Sequence, residues 1–132
     1  NGTEGARAYT REHASELPNF YAAFETDEGV FRPKRFKYSG PESDRAFLEK
    51  VVSLLKPIGV EGLDPEAEST DLIFLNEKSV PTMNLVVDGE KYFWFHHSDA
   101  DTLDKLNIED FKRCVGAIAV VAWSLADKDL EP

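Results

Sequence analysis

The sequence predicts an α/β fold in which helices cover a sheet on both faces, and three observations predict it. Segments of helical composition alternate with short apolar segments of strand composition. Pro and Gly punctuate the boundaries between them, at Pro18, Gly29, Gly40-Pro41, Gly59 and Gly89. The closing segment, 108–125, carries apolar residues at three- and four-residue spacing.

Residues 3–17 mix Ala, Arg and Glu with few strand formers, which predicts a helix that stops at Pro18. Residues 19–26 read as a strand, with Phe20, Tyr21 and Phe24 among alanines, running into the loop Asp27-Glu28-Gly29. Gly40-Pro41 opens a second helix whose core face is Phe47, Val51, Leu54 and Ile58 before Pro57 and Gly59 break the pattern. An acidic, turn-rich stretch over 62–70 precedes a short apolar patch at 72–75. Residues 80–87 then read as a buried strand despite Pro81. Asn107 caps the last helix, with Glu109 and Asp110 in its first turn and Ile108, Phe111, Val115, Ile118, Ala122 and Leu125 as its apolar stripe. No internal repeat or low-complexity linker is visible.

With 132 residues, 42% of them hydrophobic, the chain is long enough for one domain with a real core. Fifteen basic against 25 acidic residues give a formal charge of −10, which opposes binding to nucleic acid and to anionic lipid surfaces. The apolar run at 114–126 falls short of the roughly 20 residues a spanning helix needs. It predicts a core helix and no membrane partner. Cys114 is the only cysteine, so no disulfide framework exists to indicate a compartment. The chain begins at Asn1 with no basic and apolar leader, so something upstream is expected to be missing. The acceptor pattern Asn1-Gly2-Thr3 is too short to carry weight.

Two places combine chemistry with position. Asp27 is expected at a strand end, where ligands gather in open α/β sheets, although composition alone favours a solvent-facing acidic turn with Glu25 and Glu28. The aromatic run 92–95 leads into His96-His97-Ser98-Asp99-Ala100-Asp101-Thr102. Adjacent histidines beside aspartates supply a zinc ligand and a carboxylate to orient it, the alternative being a solvated loop with chance histidines. No His-Glu-x-x-His motif, cysteine pair, phosphate-binding glycine loop or nucleophile elbow is present.

Four segments taken in order carry a resemblance: Glu25-Thr26-Asp27-Glu28-Gly29, Thr70-Asp71-Leu72-Ile73-Phe74, Val80-Pro81 and His97-Ser98-x-x-Asp101-Thr102. In sequence and spacing they resemble the co-catalytic zinc aminopeptidase and glutamate carboxypeptidase family, over nearly the whole chain. The resemblance implies a mixed β-sheet flanked by helices of the zinc exopeptidase type, with residues 1–132 as the carboxyl-terminal part of a single catalytic domain. It implies two zinc ions about 3.5–4 Å apart and hydrolysis of dipeptides or terminal residues of short peptides by a metal-bridged hydroxide. Asp27 is then a ligand of one metal and His97 of the other. His96 stands where many relatives carry Tyr, as the donor to the tetrahedral oxyanion. The alternative for His96 is a ring packed against Phe95 or Trp94. Asp101 is a candidate acceptor that orients a ligand, or a loop-fixing residue together with Thr102.

The family's general base and three of its five metal-ligand residues fall upstream of this sequence, so the piece alone is expected to be inactive and to need the remaining half of the catalytic domain. Two departures stand out: Leu72 where the family often shows His, and Ser79 where it often shows Gly. The resemblance further implies an extracytoplasmic address, secreted or periplasmic, a short peptide as substrate, and a homodimer as one possible assembly. The competing reading is a non-catalytic accessory or interaction domain derived from the same fold.

Overall fold

Nine helices and strands in the order α1 (Glu4–Glu12), β1 (Ala23–Glu25), β2 (Pro33–Ser39), α2 (Glu42–Ser53), β3 (Leu63–Pro65), α3 (Ile73–Asn76), β4 (Thr82–Val87), α4 (Tyr92–Phe95) and α5 (Ile108–Asp127) make up the computed structural model, which describes residues 2–67 and 70–128. Asn1 of the acceptor pattern and Glu68-Ser69 of the acidic turn lie outside the described residues. The strands form one mixed sheet in the order β1-β4-β2-β3. β1 runs parallel to β4, β4 antiparallel to β2, and β2 parallel to β3.

The core forms where alternate residues of β2 and β4 meet α2 and α5. Phe36 and Tyr38 of β2 and Met83, Leu85 and Val87 of β4 point to one side and are buried. Leu48, Val51, Val52 and Leu55 from the α2 region and Cys114, Ala117, Val121 and Leu125 from α5 close over them. Arg35, Lys37, Asn84 and Val86 interleave with these strand residues and are half-buried. Arg35 and Asp64 make a two-pronged ion pair, Nε to Oδ2 at 2.6 Å and Nη2 to Oδ1 at 2.7 Å, which ties β2 to β3. A smaller cluster of Leu17, Leu75 and Val80 lies near β1.

The first strand is shorter than the 19–26 expected. Leu17–Asn19 forms a 3₁₀ turn around Pro18, and only Ala23–Glu25 pairs with β4. Likewise β4 starts at Thr82, after Pro81, because proline has no N–H to give to a ladder. The central strand β2 was not expected at all.

Both long helices bury part of the face expected together with residues beside it: Val51 of α2 and Leu125 of α5 are buried, and Phe47, Ile58 and Ile118 pack against the core. In α2, Leu54 is 71% exposed while Leu48, Val52 and Leu55 are inside. In α5, Ile108, Phe111 and Val115 are exposed, and the smaller Cys114, Ala117 and Val121 lie against the sheet. α5 is apolar on most of its circumference, so spacing alone leaves its buried face ambiguous. The cap is as expected: Asn107 Oδ1 accepts from the N–H groups of Glu109 at 2.9 Å and Asp110 at 3.1 Å. Asn107→Ala removes both bonds, and thermal unfolding is expected to report a loss of about 1 kcal/mol.

Ser79 explains one departure from the family pattern. Its φ of 65° lies in the left-handed region that glycine tolerates best. It closes α3 in a Schellman arrangement, with Val80 N–H bonding Leu75 O at 3.1 Å and Ser79 N–H bonding Asn76 O at 2.9 Å, while Leu75 and Val80 pack together. Gly59, at φ 105°, ends the α2 region in the same way, with Val80's place taken by Val60. Ser79→Gly is expected to raise stability by about 0.5–1 kcal/mol in chemical denaturation, and a loss of stability contradicts this reading.

Candidate functional site

Because β1 and β4 are adjacent and parallel, their carboxyl ends open at the same end of the sheet. That end is where open α/β sheets collect ligands. Asp27 follows β1 by two residues and is exposed there. After β4, Asp88 Oδ1 accepts from Glu90 N–H at 3.1 Å and caps the 3₁₀ turn Gly89–Lys91, which runs directly into α4. Asp88 also pairs with Lys34 at 3.3 Å, and its N–H bonds Arg32 O at 2.8 Å. The path out of β4 is thereby fixed back to β2.

The helical turn α4 sets the histidines. Its i to i+4 relation brings Tyr92 under His96, with ring centroids 4.5 Å apart and an interplanar angle of 27°. His96 stacks in turn on His97 at 3.8 Å and 20°. Phe93 meets His96 edge-on at 6.2 Å. The ring partners of His96 are Tyr92, His97 and Phe93, not the Phe95 or Trp94 of the alternative reading, since within α4 residues one and two positions before it do not face it. His97 itself has φ 54°, left-handed for a non-glycine residue, a conformation found more often at functional positions than elsewhere.

A cavity of about 110 Å³ lies between the loop after β1 and the α4 region, and Asp27, Glu28, Tyr92, His96, Asp101 and Lys105 are among its walls. Asp27, His96 and Asp101 are thus brought to one cavity. His97 lies beside it, stacked on His96. Tyr92 also faces a neighbouring cavity with Asp27, Glu28 and Asn84. Asn84 Oδ1 is buried there without a hydrogen-bond partner among the described residues. The Tyr92 phenol is pushed above its ordinary pKa, first by loss of solvent and then by the negative field of Asp27, Glu28 and Asp101.

Asp101 donates its backbone N–H to Ser98 O at 3.1 Å, and among the described residues its carboxylate makes no hydrogen bond to either histidine. Loop fixing falls instead to Ser98, whose Oγ donates to Phe95 O at 2.7 Å, and to Thr102, whose Oγ1 reaches Ala100 O and Asp104. Tyr92, Asn84 and Lys105 were not singled out from the sequence. For Tyr92 a signal was available, its four-residue distance from His96 inside an aromatic run.

Carboxylate and neutral imidazole are zinc-ligand chemistry, so Asp27 and the histidines fit that metal in kind. In number they do not fill a site. Among the described residues no three His, Cys, Asp or Glu side chains are grouped to hold a metal ion. Among the described residues no helix is long and apolar enough to cross a membrane.

Comparison with known proteins agrees with this fold. Human carboxypeptidase Q is 34% identical over 128 residues, which is 97% of this chain and 27% of that protein. Carboxypeptidase Q of Rattus norvegicus is 33% identical over the same shares of each chain. The crystal structure of a peptidase M28 precursor from Shewanella amazonensis superimposes with a TM-score of 0.85 at 30% identity, covering 92% of this chain and 28% of that one. The chain thus spans about a quarter of the length of these relatives. The family model for peptidase family M28 matches residues 1–122. With a family match over residues 1–122 and a fold shared with a solved peptidase M28 precursor, the chain belongs to peptidase family M28.

Proposed function

We propose that the whole protein is a zinc-dependent exopeptidase that hydrolyses dipeptides or removes terminal residues from short peptides, and that this chain forms the carboxyl-terminal part of its catalytic domain. One observation carries the reading: Asp27 and the His96-His97 pair, far apart in sequence, meet at one end of the sheet in a chain of peptidase family M28. In this reading Asp27 offers a carboxylate oxygen to one zinc ion, and His97 offers a neutral imidazole nitrogen to the other. Bound zinc supplies Lewis-acid polarisation of the scissile carbonyl and a water of lowered pKa. His96, on the cavity wall, donates an N–H to the oxyanion that develops at the substrate carbonyl. Ser98 and Thr102 hold the loop through their hydroxyls, and Asp101 through its backbone N–H to Ser98 O. The remaining ligands and the general base come from elsewhere in the protein, an extracytoplasmic address goes with this reading, and a homodimer is one assembly it allows.

The test is hydrolysis of unblocked, amino-acylated and carboxy-amidated dipeptides by the complete natural protein, before and after removal of metal with a chelator. The reading expects turnover of the unblocked dipeptide that disappears on chelation and returns with added zinc. Zinc-replete, folded protein that cleaves none of the three overturns it and leaves a non-catalytic accessory domain as the better account.

A further inference from the structure

We infer that Tyr92 is a positioning residue that fixes the imidazole of His97 through a continuous three-ring stack. The inference rests on the proposed role of His97 as a metal ligand and deepens it.

The stack follows from local backbone geometry. The single helical turn α4 places Tyr92 and His96 four residues apart on one face, and His96 N–H bonds Tyr92 O at 3.0 Å. His96 then leaves the helix at φ −49° and ψ 124°, and the left-handed His97 folds its ring back onto that of His96. The resulting order is Tyr92, His96, His97, with centroid spacings of 4.5 Å and 3.8 Å. Among the described residues neither His96 nor His97 makes a side-chain hydrogen bond. A metal-ligating histidine is ordinarily oriented by a hydrogen bond from its other ring nitrogen. Here ring stacking occupies that place. His97 and His96 are both exposed, so the stack is the main side-chain contact that restricts their χ angles.

Tyr92 is suited to be the fixed end. It is half-buried, whereas both histidines are exposed. It lines both cavities beside Asp27 and Glu28 and feels the carboxylates of Asp27, Glu28 and Asp101. Its ring also meets Phe93 edge-on at 5.0 Å. The phenol ring therefore spans from the Asp27 side of the site to the histidine side and sets the one relative to the other. The ring performs this function; the hydroxyl is dispensable to it.

Two variants separate ring from hydroxyl. In the complete protein, Tyr92→Phe is expected to keep wild-type zinc affinity, whereas Tyr92→Leu loses about 10- to 100-fold, as for other residues that orient a metal ligand. Zinc affinity is read by competition with a chromophoric chelator, and thermal unfolding shows that each variant is folded. His97→Ala serves as the reference. If His97→Ala weakens zinc binding and folded Tyr92→Leu does not, the positioning role is wrong while the metal reading stands. If His97→Ala leaves zinc binding unchanged, both are wrong. An independent readout needs no variant: histidine-selective NMR of the metal-free wild-type protein is expected to show ring protons of His96 and His97 shifted upfield by their stacked neighbours. Unshifted ring protons at both positions overturn the stack whatever the Leu variant does.

Discussion

In the complete zinc-loaded protein, His97→Ala lowers kcat for an unblocked dipeptide by well over about 100-fold. The scale comes from residues that merely orient a metal ligand, whose loss costs 10–100-fold; removal of the ligand itself exceeds that. The loss falls mainly on kcat, because the polarisation supplied at that metal strengthens as charge develops on the carbonyl oxygen. Steady-state kinetics at saturating substrate checks it. The left-handed backbone of His97 adds a control, since His97→Gly relieves the backbone without restoring a ligand and is expected to be as impaired as the Ala variant. Activity within about threefold of wild type in either variant contradicts the assignment.

The largest stability effect is expected at Phe36. This side chain has no exposed surface and sits in the strand between β3 and β4, facing Leu85 on one side and Leu63 on the other. Phe36→Ala leaves a cavity under both α2 and α5 and is expected to cost about 3–5 kcal/mol. Denaturant titration with an unchanged m-value reads this directly. A cost below about 1 kcal/mol contradicts the central position given to β2.

What the residues disclosed and what they concealed have physical causes. Asn107 announced its cap because an amide before an acidic first turn has few other uses. The strand end at Asp27 was legible from the apolar residues before it and the glycine-closed turn after it. β2 was concealed because Pro33, Lys34, Arg35 and Lys37 outweigh Phe36 and Tyr38 in composition, although the period-two alternation of Phe36 and Tyr38 was there to be read. The carboxyl-terminal half of α5's buried stripe is legible at Ile118 and Leu125, whereas its first turns are not, because close packing on the sheet selects Cys114, Ala117 and Val121 over the larger Ile108, Phe111 and Val115.

Within the site, the separate candidates were visible and their connection was not. Asp27, His96 and Asp101 share a cavity only because β1 and β4 are adjacent and parallel, a pairing between segments some 60 residues apart that no local pattern encodes. The stacking of His97 on His96 depends on a left-handed φ at a histidine, a conformation that sequence normally signals with glycine. Ser79 hid its own left-handed turn in the same way, and there the family's glycine was the clue.

Zinc per polypeptide, measured by elemental analysis of the complete protein beside its Asp27→Ala and His97→Ala variants, tests the central claim most directly. The account predicts about two zinc ions in the wild type and one fewer in each folded variant. Retention of the full complement by both variants contradicts it.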